Sequence, residues 1–115
     1  MRKENGIFMR KTTLVKPQEI DEAINAINSK PEFTVNSLYQ IWGLKLRKRR
    51  LEQDLTQTDV AKILNITFQQ VQKFENGTNR ISFDKVIMFC QKTGTGYGYF
   101  LSTLNGRTLV TNTGG

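Results

Sequence analysis

Hydrophobic positions recur at helical spacing along this chain, and the recurrence marks out a succession of helices. Ile20, Ala23, Ile24 and Ile27 form a stripe over residues 17–29. Pro17 suits the first turn there, Glu19, Asp21 and Glu22 lie on the favourable side of the dipole, and Lys30-Pro31 ends the helix. Leu38, Ile41, Trp42, Leu46 and Leu51 supply the inner face of a longer helix, from Val35 or Asn36 to Gln53. Val60, Ala61 and Leu64 then make a short stripe, and Val71 and Phe74 another. Ser82 caps a helix from Phe83 to about Thr93, with Gly94 in the left-handed position behind it. Phe83, Val86, Ile87 and Cys90 follow the i, i+3, i+4, i+7 rule and are expected to be buried. Met88 and Phe89 are left over on the face that ought to be wet. Tyr97, Tyr99, Phe100, Leu101 and Leu104 make a short last helix with more apolar surface than one small domain buries.

The two shortest helices carry the chemistry. Thr56 is a good N-cap with Asp59 three residues on, and Thr67 caps the next helix, which runs to about Asn76 with Gly77 as its stop. Asn65 between them tolerates a positive φ, so the chain turns sharply. Helices of ~8 residues are not stable alone and must pack on something. With Val71 and Phe74 inward, Gln69, Gln72 and Lys73 point to water. Amide side chains bond base edges in the DNA major groove, so the pair reads as a helix-turn-helix with its second helix as the reader.

The segment from about Leu38 to Leu101 resembles the Cro/CI-type helix-turn-helix of the Xre family. The matching residues are Leu46-Arg47 and Arg50, Leu55-Thr56-Gln57, Val60-Ala61, Leu64, Val71, Phe74-Glu75-Asn76-Gly77 and the stretch from Ser82 to Leu101. The resemblance implies an all-α, five-helix, lambda-repressor-like domain, here with an extra N-terminal helix. It also implies a dimer that binds a palindromic operator. Gln57 matches a position whose glutamine binds phosphate, helped by the helix N-terminus, with Thr67 as the neighbouring cap. Phe68, Gln69 and Lys73 match the positions that meet bases. Gln69 suits adenine N6 and N7, and Lys73 suits a guanine edge or a phosphate. Phe68 departs from the polar residue common there: its ring either lies against a thymine methyl or folds back onto the domain as a staple. Gln70 and Gln72 flank this row, and Asn76, Thr78, Asn79 and Arg80 form a loop that in the family follows the sugar-phosphate backbone. Arg50 matches an arginine paired with the glutamate that ends the reader helix, here Glu75. Five charges within six helical residues cannot share a face, so Lys45, Arg47, Lys48 and Arg49 are expected to be mainly solvated.

Charge sharpens the picture. Lys and Arg outnumber Asp and Glu by 17 to 10, and residues 37–81 hold 8 positive against 4 negative charges. Such an excess around the reader fits a polyanionic partner, although it also serves solubility. With no histidine and one cysteine, a zinc site or a histidine-based catalytic centre is not available. No phosphate-binding loop occurs either, since Gly94-Thr95-Gly96-Tyr97-Gly98 follows a helix and lacks the lysine. The expectation is therefore a non-enzyme without cofactor or metal. Without a signal peptide or a membrane-length apolar run, it is placed in the cytoplasm, with Cys90 as a buried thiol.

The expected organisation is a basic arm plus extra helix over 1–36, the domain over 37–104 with its motif at about 57–76, and a flexible tail over 105–115. Double-stranded DNA and a second copy of the chain are the expected partners. The candidate dimer residues are Met88, Phe89, Tyr97, Tyr99 and Leu104, with the 17–29 helix as an addition. Two function classes stay open: a dimeric repressor, or a DNA-binding antitoxin whose N-terminal segment engages another protein.

Overall fold

The computed structural model describes residues 16–110, which form α1 (Pro17–Asn28), α2 (Val35–Glu52), α3 (Gln57–Leu64), α4 (Phe68–Glu75), α5 (Phe83–Thr93), α6 (Gly98–Leu101) and a 3₁₀ turn at Ser102–Leu104. The protein is all-α over these residues. Three of the helices start on the same reciprocal cap. Thr34 accepts from Ser37 N at 3.1 Å while Thr34 N donates to Ser37 Oγ at 3.2 Å. Thr56 and Asp59 repeat the exchange at 3.0 and 2.8 Å, and Thr67 and Gln70 at 3.1 and 3.0 Å. Each box satisfies amides that a helix start leaves without partners. Ser82 holds the N-cap position of α5 but makes no capping bond with its side chain. At the other ends, Asn65 (φ 57°) and Gly94 (φ 71°) take the left-handed conformation that stops α3 and α5.

α2 is the central element, packed against α1, α4 and α6. Ile20 and Ile24 of α1 belong to the same apolar core as Leu38, Ile41, Trp42 and Leu46 of α2, so the N-terminal helix is part of the main core. Trp42 is buried and donates its indole N–H to Phe100 O at 3.0 Å, which ties α2 to α6.

Two sequence-based expectations are corrected in α5. Phe89, expected on a wet face and as a dimer residue, is 0% exposed and sits edge-to-face with Phe100 at 6.1 Å. Phe83, expected inside, is 54% exposed and only its inner side lies beside Trp42. The reason is that α5 is covered on two flanks, by α3 and by Phe100 of α6. The buried stripe is therefore Val86, Phe89 and Cys90, with Ile87 and Met88 half-buried at its borders.

The tail is corrected too. Val110 N donates to Phe33 O at 2.9 Å in a parallel bridge of Thr34 with Val110. The Arg107 guanidinium lies 4.1 Å from the Phe33 ring centroid and donates to Asn28 Oδ1 at 2.6 Å. Residues 105–110 thus lie against the α1–α2 connection instead of fraying. The expectations for residues 1–15 and 111–115 fall outside the described residues.

Candidate nucleic-acid interface

α3 and α4 are joined by three residues, and the turn is fixed from both sides. Asn65 reverses the chain in the left-handed region, and Ile66 N donates to Ala61 O at 3.0 Å. Ile66 itself packs against the core. α4 then divides cleanly: Val71, Phe74 and Glu75 are buried, whereas Phe68, Gln69, Gln70, Gln72 and Lys73 are exposed. The Gln70 carbonyl is engaged in the cap with Thr67, which leaves its amide N–H₂ facing outward. Gln69, Gln72 and Lys73 therefore form the outward polar row, with the Phe68 ring at its leading end.

The loop behind α4 is stiffened by its own side chains. Asn76 Oδ1 accepts from Thr78 N at 3.0 Å and from Thr78 Oγ1 at 2.6 Å, and Asn79 N donates to Lys73 O at 3.1 Å. Arg80 donates to Asn36 Oδ1 and lies over the Tyr39 ring, 5.3 Å from its centroid. The first turns of α2 thereby anchor the loop. Asn36 and Tyr39 carried no sequence signal for this role, because it depends on how α2 crosses α4.

Beneath the reader helix lies a buried charge network. Glu75 accepts from Arg50 Nε at 2.8 Å and Arg50 Nη2 at 3.0 Å, and from Arg47 Nε at 3.0 Å. Gln57 Nε2, from the first turn of α3, adds a fourth bond at 3.1 Å. One carboxylate thus fastens α2, α3 and α4 together. Arg47 was expected to be solvated and is instead buried, because residues 47 and 50 are neighbours on one helical face and that face meets α4. The approach is close: a Cβ on Gly43, one turn before Arg47, would stand 2.0 Å from Phe74 O.

The rest of the basic run disperses around α2. Lys48 pairs with Asp21 of α1 at 2.7 Å, and Arg49 bonds Thr95 Oγ1 at 3.0 Å. Lys45 Nζ donates to Tyr99 O at 2.7 Å, and Tyr99 OH donates back to Lys45 O at 2.8 Å. Burial, followed by the nearby Lys48 charge, lowers the Lys45 ammonium below the usual lysine range, and burial pushes the Tyr99 phenol up. Lys45 is therefore not the solvated charge expected from sequence. Of the candidate dimer residues, Tyr99 spends its hydroxyl inside the fold and is half-buried, whereas Tyr97 and Leu104 stay exposed at 46% and 37%.

Residues 46–100 match the family described as helix-turn-helix. The chain carries a helix-turn-helix domain of the Xre type. Domains of this type are the DNA-binding modules of transcription regulators. The Xre-type segment begins within α2 and closes on α6, so it contains the whole Glu75 network and the outward row of α4. An uncharacterized HTH-type transcriptional regulator of Sinorhizobium fredii is 36% identical over 64 residues, 55% of this chain and 45% of that protein. An uncharacterized transcriptional regulator from the ATPase CF(0) region of Rhodospirillum rubrum is 36% identical over 62 residues, 54% of this chain and 57% of that protein. Antitoxin PezA of Streptococcus pneumoniae is 33% identical over 55 residues, 48% of this chain and 35% of that protein. The chain spans about half the length of the first two of these relatives. No solved structure matches significantly. Among the described residues, no helix is long and apolar enough to cross a membrane.

Proposed function

We propose that this chain is a sequence-specific regulator of transcription, a homodimeric repressor that lays α4 in the major groove of a palindromic operator. The division of α4 carries the reading. Its inner face is fixed by Val71, Phe74 and the fourfold-bonded Glu75, and its outer face presents amides, a lysine and an aromatic ring. Gln69, Lys73 and Phe68 meet bases. Gln57, Thr67, Gln70, Gln72, Asn76, Thr78, Asn79 and Arg80 border the phosphate backbone and set the register. In this role the protein works in the cytoplasm, without catalysis or a cofactor.

Selection from random duplex DNA tests the proposal. An enriched inverted repeat with half-sites about 34 Å apart is the expected outcome, and recovery of no preferred sequence refutes it. On the selected operator, Gln69→Ala should lose about 1–3 kcal/mol of specific affinity and relax preference at one base step. Its affinity for unrelated duplex should stay nearly constant, because phosphate contacts dominate there. Equal operator affinity in wild type and Gln69→Ala would remove Gln69 from the reading row.

A single reader helix covers too few base pairs to discriminate against a genome of competing sites, and a twofold axis doubles the contacts. The surface open for such an axis is the α5–α6 end, where Phe83, Tyr97 and Leu104 are exposed and Met88 is half-buried. Tyr97→Asp and Leu104→Asp should each shift the light-scattering mass toward the monomer while leaving the helical circular dichroism spectrum in place. A wild type that is monomeric at micromolar concentration, free and on its operator, would refute the dimer.

The similarity to Antitoxin PezA favours one second reading, a DNA-binding antitoxin that also holds a protein partner through its N-terminal segment. A neighbouring reading frame encoding a small toxin would support it, and copurification of that product with this chain would establish it.

A further inference from the structure

Phe68 is the residue at which this reader helix departs from a polar contact row, and the structure shows what the ring is not used for. A residue just before an N-cap commonly packs onto the fourth helical position and fixes the entry of the chain. In α4 those positions are Ile66 and Val71, and both are already in place: Ile66 packs against the core and Val71 is fully buried. Both staple positions are thus occupied by core-facing residues other than Phe68. The ring lies outside the apolar core and remains 40% exposed at the first helical position. Its backbone is held rigidly, because the Thr67–Gln70 box fixes the first turn on both sides of it. A Cα–Cβ bond at that position tilts toward the helix N-terminus, the end that enters the groove in this docking mode.

We propose that Phe68 is a specificity residue for the 5-methyl group of a thymine. The major-groove edge of thymine carries one apolar group, that methyl, and apolar side chains are its natural contact. A rigid aromatic ring with no polar atom has nothing to offer the donors and acceptors of the other base edges. Gln69, next along the helix, supplies hydrogen bonds at the adjoining step. The prediction is a half-site with thymine at the base pair facing the start of α4. The inference rests on the operator reading above.

The test uses the intact protein and the operator recovered from random duplex DNA, with each thymine of the half-site replaced in turn by uracil, which lacks only the methyl. One replacement should weaken wild-type binding about fourfold, the value of one buried methyl-sized group. Phe68→Ala should bind the thymine operator more weakly than wild type and lose that difference between thymine and uracil, while Phe68→Leu retains it. Phe68 is exposed, so thermal melting of both variants should match wild type. If no uracil replacement weakens wild type, or if Phe68→Ala shows the same loss at the same position, the assignment is overturned while the operator reading stands. If no operator is selected at all, both fall.

Discussion

Glu75→Ala is expected to cost about 3–5 kcal/mol of folding stability, because two buried guanidiniums would then face each other without their shared anion. At ~4–8 °C per kcal/mol for a domain of this size, the melting temperature should fall by well over ~10 °C. The substitutions around that carboxylate should rank by what each leaves behind. Arg50→Ala removes two bonds to Glu75, at 2.8 and 3.0 Å, and a third to Leu55 O at 3.0 Å, and should also fall near 3–5 kcal/mol, about the cost of breaking a buried pair. Arg47→Ala leaves the Arg50 fork and the Gln57 amide on Glu75, so about 1.5–3 kcal/mol is expected, the scale of one hydrogen bond to a charge. Lys48→Ala, which breaks only an exposed pair with Asp21, should cost about 0–1 kcal/mol. Thermal unfolding of the four variants by circular dichroism measures the order. If Arg47→Ala were as mild as Lys48→Ala, the second arginine would have no part in holding the reader helix.

Gly43→Ala is the second change with a large expected effect, and its sign opposes intrinsic propensity. In an exposed helix interior, alanine is favoured over glycine by about 1 kcal/mol. Here the new Cβ would stand 2.0 Å from the Phe74 carbonyl oxygen, a backbone atom that cannot rotate away. α2 and α4 must separate, with a net loss of about 1–3 kcal/mol or more. The displacement acts directly on the last turn of the reader helix and on Glu75 beside it. Operator affinity measured well below the melting temperature should therefore drop along with stability. A variant as stable as wild type would show that the two helices cross less closely than described.

Helix starts were readable from the sequence because they are local. Thr56 and Thr67 bond groups three residues away, and Asn65 and Gly94 need only their own backbone preference. The outward row of α4 was readable for a similar reason, since 3.6-residue periodicity separates Val71 and Phe74 from Gln69, Gln72 and Lys73. The sequence could not reveal which of two adjacent stripes a doubly covered helix would bury, and so Phe83 and Phe89 exchanged places. Nor could it sort five neighbouring cations. Arg47 differs from Lys48 only in facing α4, and that depends on the crossing permitted by Gly43. The docking of Arg107 on Phe33 and Asn28 is equally non-local, joining positions separated by 79 residues in the case of Asn28.

That last contact bears on the order in which the molecule assembles. Most of its packing joins helices that follow one another or lie one apart, as in α1 with α2, α3 with α4, and α2 with α4. Local pairings of this kind form early and quickly, because little chain entropy is lost in closing them. The contacts of Arg107 with Asn28 and Val110 with Phe33 close the longest loops in the structure with very few bonds. They therefore form late and reopen first, while the Xre-type segment stays folded. Amide exchange would register this as a gradient: slow at Leu46, Val60 and Val71, and fast at Val110.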